Sequence, residues 1–176
     1  AVSAAGEGAV TIRALRPQDS RLEVSAIYEE SWRWAYRGIV PQTYLDALPA
    51  GHWAAFIDSP GIYTLVADDG GVLAGTASFC ASRFPEYAGM GEIVSLYLRE
   101  AYAGRGLGRA LLESAAALLA ARSLGDVFLW VLEENGRARR FYERAGFAAS
   151  GEAMECEIGG RALRELRYVR SVKGGV

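Results

Sequence analysis

The chain has 176 residues, 51% of them hydrophobic, enough for one domain that buries about 70% of the surface its unfolded chain exposes. With 19 Lys and Arg against 21 Asp and Glu, the net charge is −2, which argues against a nucleic-acid or membrane-surface partner. Two cysteines, Cys80 and Cys156, and a lone histidine, His52, have no metal-ligand spacing; no metal is expected, and the thiols read as buried, reduced residues of a cytoplasmic protein.

In chain order, residues 1–9 are rich in Ala and Gly and lack a charged segment ahead of an apolar one, so they read as a disordered tail. Residues 171–176 read as a second loose end. No apolar run reaches membrane-spanning length, and a single domain is expected over 10–170. Residues 10–15 are strand-like. Residues 19–36 have helical periodicity with Asp19 as candidate N-cap, and 44–48 and 53–57 form short helices. Residues 62–67 and 72–82 flank the sequence DDGG, a strong hairpin signal. A strand is expected at 93–98, a helix at 107–122 and a continuous apolar strand at 127–132. That strand–helix–strand order implies parallel neighbours.

In the helix expected over 135–145, Ala138, Phe141, Tyr142 and Ala145 share one inward face. Gly146 falls where a left-handed C-cap belongs. Residues 147–157 and 162–170 close the chain as an antiparallel pair around Gly159 and Gly160. The sum is a mixed α/β sheet with helices on its faces.

The segment GEIVSLYLREAYAGRGLGRALL, residues 91–112, runs from a strand pattern through a glycine-rich turn into an apolar helix. Gly104, Gly106 and Gly108 permit a tight turn and close approach of backbone N–H groups to a ligand. With the helix N-terminus near Leu107, they suit an anion. A dinucleotide fingerprint would need a third Gly at Arg109 or Leu111, and a P-loop would need Gly-Lys-Ser/Thr; neither is present.

The segment resembles the acetyl-CoA signature of the GNAT N-acetyltransferase superfamily, Gln/Arg-x-x-Gly-x-Gly/Ala. Gly106 and Gly108 match its two small positions, while Ala103 replaces the usual Gln or Arg. That departure leaves phosphate binding to backbone N–H groups with Arg105 and Arg109. A second segment, NGRARRFYERAGF at 135–147, resembles the downstream family pattern Asn-x-x-Ala-x-x-Phe-Tyr-x-x-x-Gly-Phe. Residues 31–48 also resemble the first helical region of a bacterial GNAT subgroup.

The resemblance implies a GNAT-like fold: a mixed, mostly antiparallel central sheet with splayed parallel strands and helices on both faces. It implies acetyl-CoA as cosubstrate, with a backbone N–H at Leu96 on the thioester carbonyl and Tyr97 and Leu98 pairing with the pantetheine arm like an added strand. Asn135 would contact that arm, and Asn is also a common helix N-cap.

A free alkyl amine with a pKa near 10.4 is unprotonated in only about one molecule in 2,500 at pH 7, which costs roughly 4.6 kcal/mol. A base is therefore useful. Glu92 stands at the family's carboxylate position, and an ordinary strand-end Glu fits it equally. Tyr142 stands at the general-acid position, its phenol protonated at neutral pH; a packing aromatic is the alternative.

The acceptor is expected against Glu29, Glu30, Trp32, Trp34 and Tyr36, with Phe84 and Tyr87 opposite, unless these are core residues. His52 reads as structural. The expected activity is direct acetyl transfer to the primary amine of a small molecule by a cytoplasmic, bacterial enzyme, for which the resemblance allows a homodimer. The alternatives are a non-catalytic acyl-CoA-binding or regulatory module, or an acetyltransferase acting on protein lysines or N-termini.

Overall fold

Gly70 and Gly71, at φ 59° and 99°, close a two-residue hairpin. It joins β2 (Tyr63–Asp69) to β3 (Val72–Ala81), with Asp69 opposite Val72. A two-residue loop that matches strand twist needs positive φ at both central positions, which Gly supplies without strain. The computed structural model describes residues 9–172. The tails expected at 1–9 and 171–176 lie outside the described residues except for Ala9, Ser171 and Val172.

Around this hairpin the chain builds a seven-stranded sheet in the order β1-β2-β3-β4-β5-β7-β6. The remaining strands are β1 (Thr11–Ala14), β4 (Gly91–Leu98), β5 (Val127–Leu132), β6 (Ala148–Ile158) and β7 (Arg161–Arg170). All neighbours are antiparallel except β4 and β5. The helices are α1 (Arg21–Ala35), α2 (Gln42–Asp46), α3 (Ala54–Ile57), α4 (Leu107–Ala120) and α5 (Gly136–Arg144). Among the described residues, no helix is long and apolar enough to cross a membrane.

The strand period of two divides the core. Leu65, Ala67, Ala77, Phe79 and Ile93 face α4, where they meet Leu111, Leu112, Ala115 and Leu119. Each fully buried Leu of that helix contributes about 1.5–3 kcal/mol. Val66 and Leu73 face the other way, onto Val24, Ile27 and Tyr28 of α1. A third cluster, with Leu132 and Leu163, packs under Trp32, Tyr36 and Trp53. Ala138, Phe141 and Tyr142 of α5 pack on the α4 side, beside the buried Ala145.

Local chemistry moves two expected boundaries. Ser20 is the N-cap of α1, accepting from the Glu23 N–H at 3.3 Å. Asp19 is occupied elsewhere: it accepts from the Arg16 N–H and from the Arg13 guanidinium, both at 2.7 Å. Helix α4 ends at Ala120, two residues before the expected Arg122, because Ser123 turns to φ 62° and the Leu124 N–H donates back to the Leu119 carbonyl. Asn135 caps α5 through its side chain, which accepts from the Ala138 N–H at 3.2 Å. Gly146, at φ 90°, has the left-handed conformation expected of it. Cys80 is buried and Cys156 half-buried, so the expectation of two buried thiols holds for one.

Candidate active site

Strands β4 and β5 pair at two positions, Gly91 with Val127 and Glu92 with Phe128, and then diverge. A register shift between Ser78 and Phe79 leaves Val94 as an extra residue on β4. Such a bulge bends its strand and raises the local twist. Beyond it, β4 has a partner only in β3.

The polarity of the freed edge follows from the pairing. The Arg99 N–H donates to the Ala74 carbonyl of β3. Antiparallel residues alternate in the side to which they direct N–H and C=O, so Tyr97 and Ser95 also point their backbone groups at β3. Leu96 and Leu98 then direct theirs into the gap. The Trp34 indole N–H donates to the Leu98 carbonyl at 3.4 Å, in agreement with that direction.

The gap is part of a cleft of about 410 Å³. Its wall on the α4 side includes Ala103, Gly104, Gly106, Gly108 and Arg109. Gly104 and Gly106 take φ 78° and 81°, a left-handed backbone disfavoured by any side chain. Gly108 is helical, and a Cβ there would meet Leu98 and Phe141 at an ordinary 3.5 Å. Asn135, Arg137, Phe141, Tyr142 and Arg144 complete this side.

Tyr142 and Tyr36 approach the gap from opposite faces of the sheet, Tyr142 from α5 and Tyr36 from the end of α1. Burial is the main reason that both phenols are held above the ordinary tyrosine range, and each also feels a neighbouring tyrosine hydroxyl. Tyr97 is raised for the same reason, and its hydroxyl accepts from the Trp32 indole N–H at 3.1 Å. All three phenols therefore keep their protons at neutral pH.

Other expected residues lie apart from the cleft. Glu92 is 1% exposed and does not line it. Its carboxylate accepts from the Arg83 backbone N–H at 3.1 Å and from the Arg83 guanidinium at 2.6 Å, which consumes the lone pairs a base would offer. Arg105 lies over the Tyr102 ring, and Leu107 packs on the core.

Of the seven expected acceptor residues, Trp34 and Tyr36 line the cleft. Glu30 is turned away, accepting from the Glu100 N–H at 3.1 Å. Trp32 fills the core between Tyr36 and Trp53. Tyr87 donates to Glu152 and carries the Arg167 guanidinium on its ring face. Glu29 is a buried structural acceptor for Ser25 and the Gly51 N–H. Phe84 packs on Phe128 and Trp130, and His52 is exposed with its ring against Trp53.

Sequence reasoning missed Trp130 and Glu165, which both line the cleft. Glu165 stands opposite Leu132 in the β5–β7 register. Burial alone pushes its carboxyl up, with neither a hydrogen bond nor a cation to bring it back. A strand-period reading could have found it, since Glu165 shares a face with the buried Leu163 two residues earlier.

A strand edge left open beside a glycine-lined helix start exposes unpaired backbone N–H and C=O groups along one wall of the cleft. The profile of the acetyltransferase (GNAT) family matches residues 24–147, and the chain belongs to that family.

An uncharacterized N-acetyltransferase of Bacillus subtilis, YuaI, is 31% identical over 132 residues, covering 72% of this chain and 73% of that protein. A probable N-acetyltransferase of Mycobacterium tuberculosis is 29% identical over 161 residues, 82% of this chain and 83% of its own length. Among solved structures, the PaiA N-acetyltransferase of Thermoplasma acidophilum in complex with coenzyme A superposes with a TM-score of 0.72 at 21% identity, covering 93% of this chain and 99% of that one. The fold matches the expected mixed sheet with one parallel pair, and the chain is an N-acetyltransferase.

Proposed function

We propose that this acetyltransferase moves an acetyl group from acetyl-CoA directly to the primary amine of a small molecule. The observation that carries the reading is the open β4 edge, with Leu96 and Leu98 directed into a gap that Tyr142 lines. Acetyl-CoA supplies the activated thioester.

The chain's own groups divide the work. The Leu96 N–H donates to the thioester oxygen, where negative charge grows during attack. The free backbone groups at Leu96 and Leu98, flanked by Tyr97, hold the pantetheine arm as an added strand. Gly104, Gly106 and Gly108 let backbone N–H groups approach the pyrophosphate, helped by Arg109 and by the N-terminus of α4. Asn135 is committed through its side-chain oxygen to capping α5, and its amide hydrogens are left for the arm. Tyr142 holds a proton at its hydroxyl for the departing sulfur.

A small acceptor suits a cleft of about 410 Å³ walled by α1 on one side and α5 on the other. The test is calorimetric titration with acetyl-CoA, followed by an amine panel scored by coenzyme A release. Micromolar binding with amine-dependent release is the expected result. No binding at millimolar ligand would remove the reading, with Ala103 as the departure responsible.

A further inference from the structure

The cleft wall carries one carboxylate, Glu165, and three guanidinium groups, Arg109, Arg137 and Arg144. They belong to opposite faces of the sheet. The arginines come from α4 and α5, on the side of the glycine turn. Glu165 stands beside Leu132 in the register, over the cluster that holds Leu163, Trp32 and Tyr36.

The acidic groups near that face are otherwise occupied. Glu92 is held by Arg83, Glu30 by the Glu100 N–H, Glu29 by Ser25 and the Gly51 N–H, and Glu152 by Tyr87 and Arg167. Glu165 has no such partner, although it is half-buried. A carboxylate placed so is costly unless a cation answers it. Its walls are Trp130, Tyr36 and Trp34, which offer apolar and aromatic surface, with the Arg137 guanidinium over the Trp34 ring and Arg167 opposite Trp130 in the register.

We infer that Glu165 receives the acceptor's ammonium group and takes its proton, and that the acceptor is a primary amine on an apolar or aromatic body. This rests on the acetyltransferase reading above and assigns its missing base to β7 in place of Glu92. Two protons leave the nitrogen as the C–N bond forms and the C–S bond breaks. One passes to the Glu165 carboxylate and then to solvent. The other balances the proton that Tyr142 gives the sulfur, so the sum is ammonium plus thioester giving amide, thiol and one free proton.

Burial holds the Glu165 carboxyl above the ordinary glutamate range, which makes it a better proton acceptor than an exposed carboxylate. Tyr36 at the end of α1 and Cys156 on β6 are the titratable groups that feel its charge, and Tyr97 and Tyr142 share its cleft; all four are pushed upward, chiefly by burial, and so stay protonated while Glu165 titrates. The Arg167 guanidinium, two residues along the same face of β7, lies over the Tyr87 ring.

The experiment uses the full chain, as wild type, Glu165→Gln and Glu165→Asp. Acetyl-CoA affinity is measured first, then coenzyme A release with 2-phenylethylamine, spermidine and glycine between about pH 6 and 9. The expected result is a preference for 2-phenylethylamine. Glu165→Gln should lower kcat/KM by about 100-fold or more and flatten the acidic limb of the profile, with acetyl-CoA affinity and melting temperature retained. Glu165→Asp should restore part of the rate and the limb.

A protein that binds acetyl-CoA but prefers glycine or spermidine, or acetylates none of the three, would overturn the substrate class. A Glu165→Gln enzyme with an unchanged limb would overturn the role of Glu165. Failure of the wild type to bind acetyl-CoA would instead bring down the acetyltransferase reading on which both depend.

Discussion

Arg83 grips Glu92 through three groups: its backbone N–H, its Nε and a terminal guanidinium nitrogen at 2.6 Å. The carboxylate is 1% exposed, while the arginine side chain is 47% exposed. Removing the arginine strands a buried charge, whereas removing the carboxylate leaves a cation that water can reach. Arg83→Ala should therefore destabilise the fold by about 2–4 kcal/mol, and Glu92→Gln by less. Denaturant unfolding of both variants checks the order.

Tyr142→Phe deletes one hydroxyl from the cleft and keeps the ring that packs beside Phe141 and Phe147. Turnover should fall by about 100-fold, while acetyl-CoA affinity and stability change little. Steady-state kinetics alongside calorimetry separate the two effects. Equal losses in both would make Tyr142 a packing residue.

Three glycines, Gly106 and Gly108 in the cleft and Gly75 on β3 opposite Leu98, should respond differently to alanine. At Gly106 the space is open but the backbone is left-handed, so Gly106→Ala costs about 1–2 kcal/mol through strain alone. Gly108→Ala meets ordinary contacts in a helix and should be neutral or slightly stabilising. At Gly75 a Cβ would stand 2.5 Å from Leu98 Cδ2 and 3.0 Å from the Tyr97 carbonyl oxygen. Gly75→Ala should destabilise by about 1–3 kcal/mol and weaken acetyl-CoA binding, because it pushes on the strand that carries the open edge. Thermal melts and calorimetric titrations test all three.

Stability should also decline in acid through a defined pair. Hydrogen bonding to Arg13 is the main cause that lowers the Asp19 carboxyl to about 2 from its ordinary 3.8. A depressed carboxyl favours the folded state above its unfolded pKa and loses that contribution as pH falls from about 4 to 2. Arg13→Gln should flatten this part of the stability–pH curve, which urea titration at several pH values would detect. Glu165 has the opposite sign. Its raised carboxyl stabilises the fold relatively in acid and opposes it once ionised, so Glu165→Gln should melt no lower than wild type at neutral pH.

The sequence pattern revealed elements whose causes are local. The paired glycines at 70–71, the apolar run at 127–132 and the inward face of Ala138, Phe141 and Tyr142 each encode their structure within a few residues. Asp19 misled because its partner Arg13 lies across the strand-to-helix turn, where helix-cap preference carries no information. Glu92 matched a family position, but the nine-residue return from Arg83 to Glu92 decides where that carboxylate points. For Glu165 the strand period could give the face it shares with Leu163, but only the pairing of β5 with β7 brings it beside Leu132.

The two-pair junction between β4 and β5 also makes the sheet a hinge of unequal strength. Its N-terminal half, β1 to β4, and its C-terminal half, β5 to β7, are each laced by long antiparallel ladders, while little backbone bonding crosses between them. Local opening should therefore begin at this seam, with amide deuterium uptake near Gly91 and Val127 faster than in the β6–β7 ladder. A thioester arm lying along β4 would stitch the halves together, so acetyl-CoA should slow exchange on β5 as well as on the strand it touches.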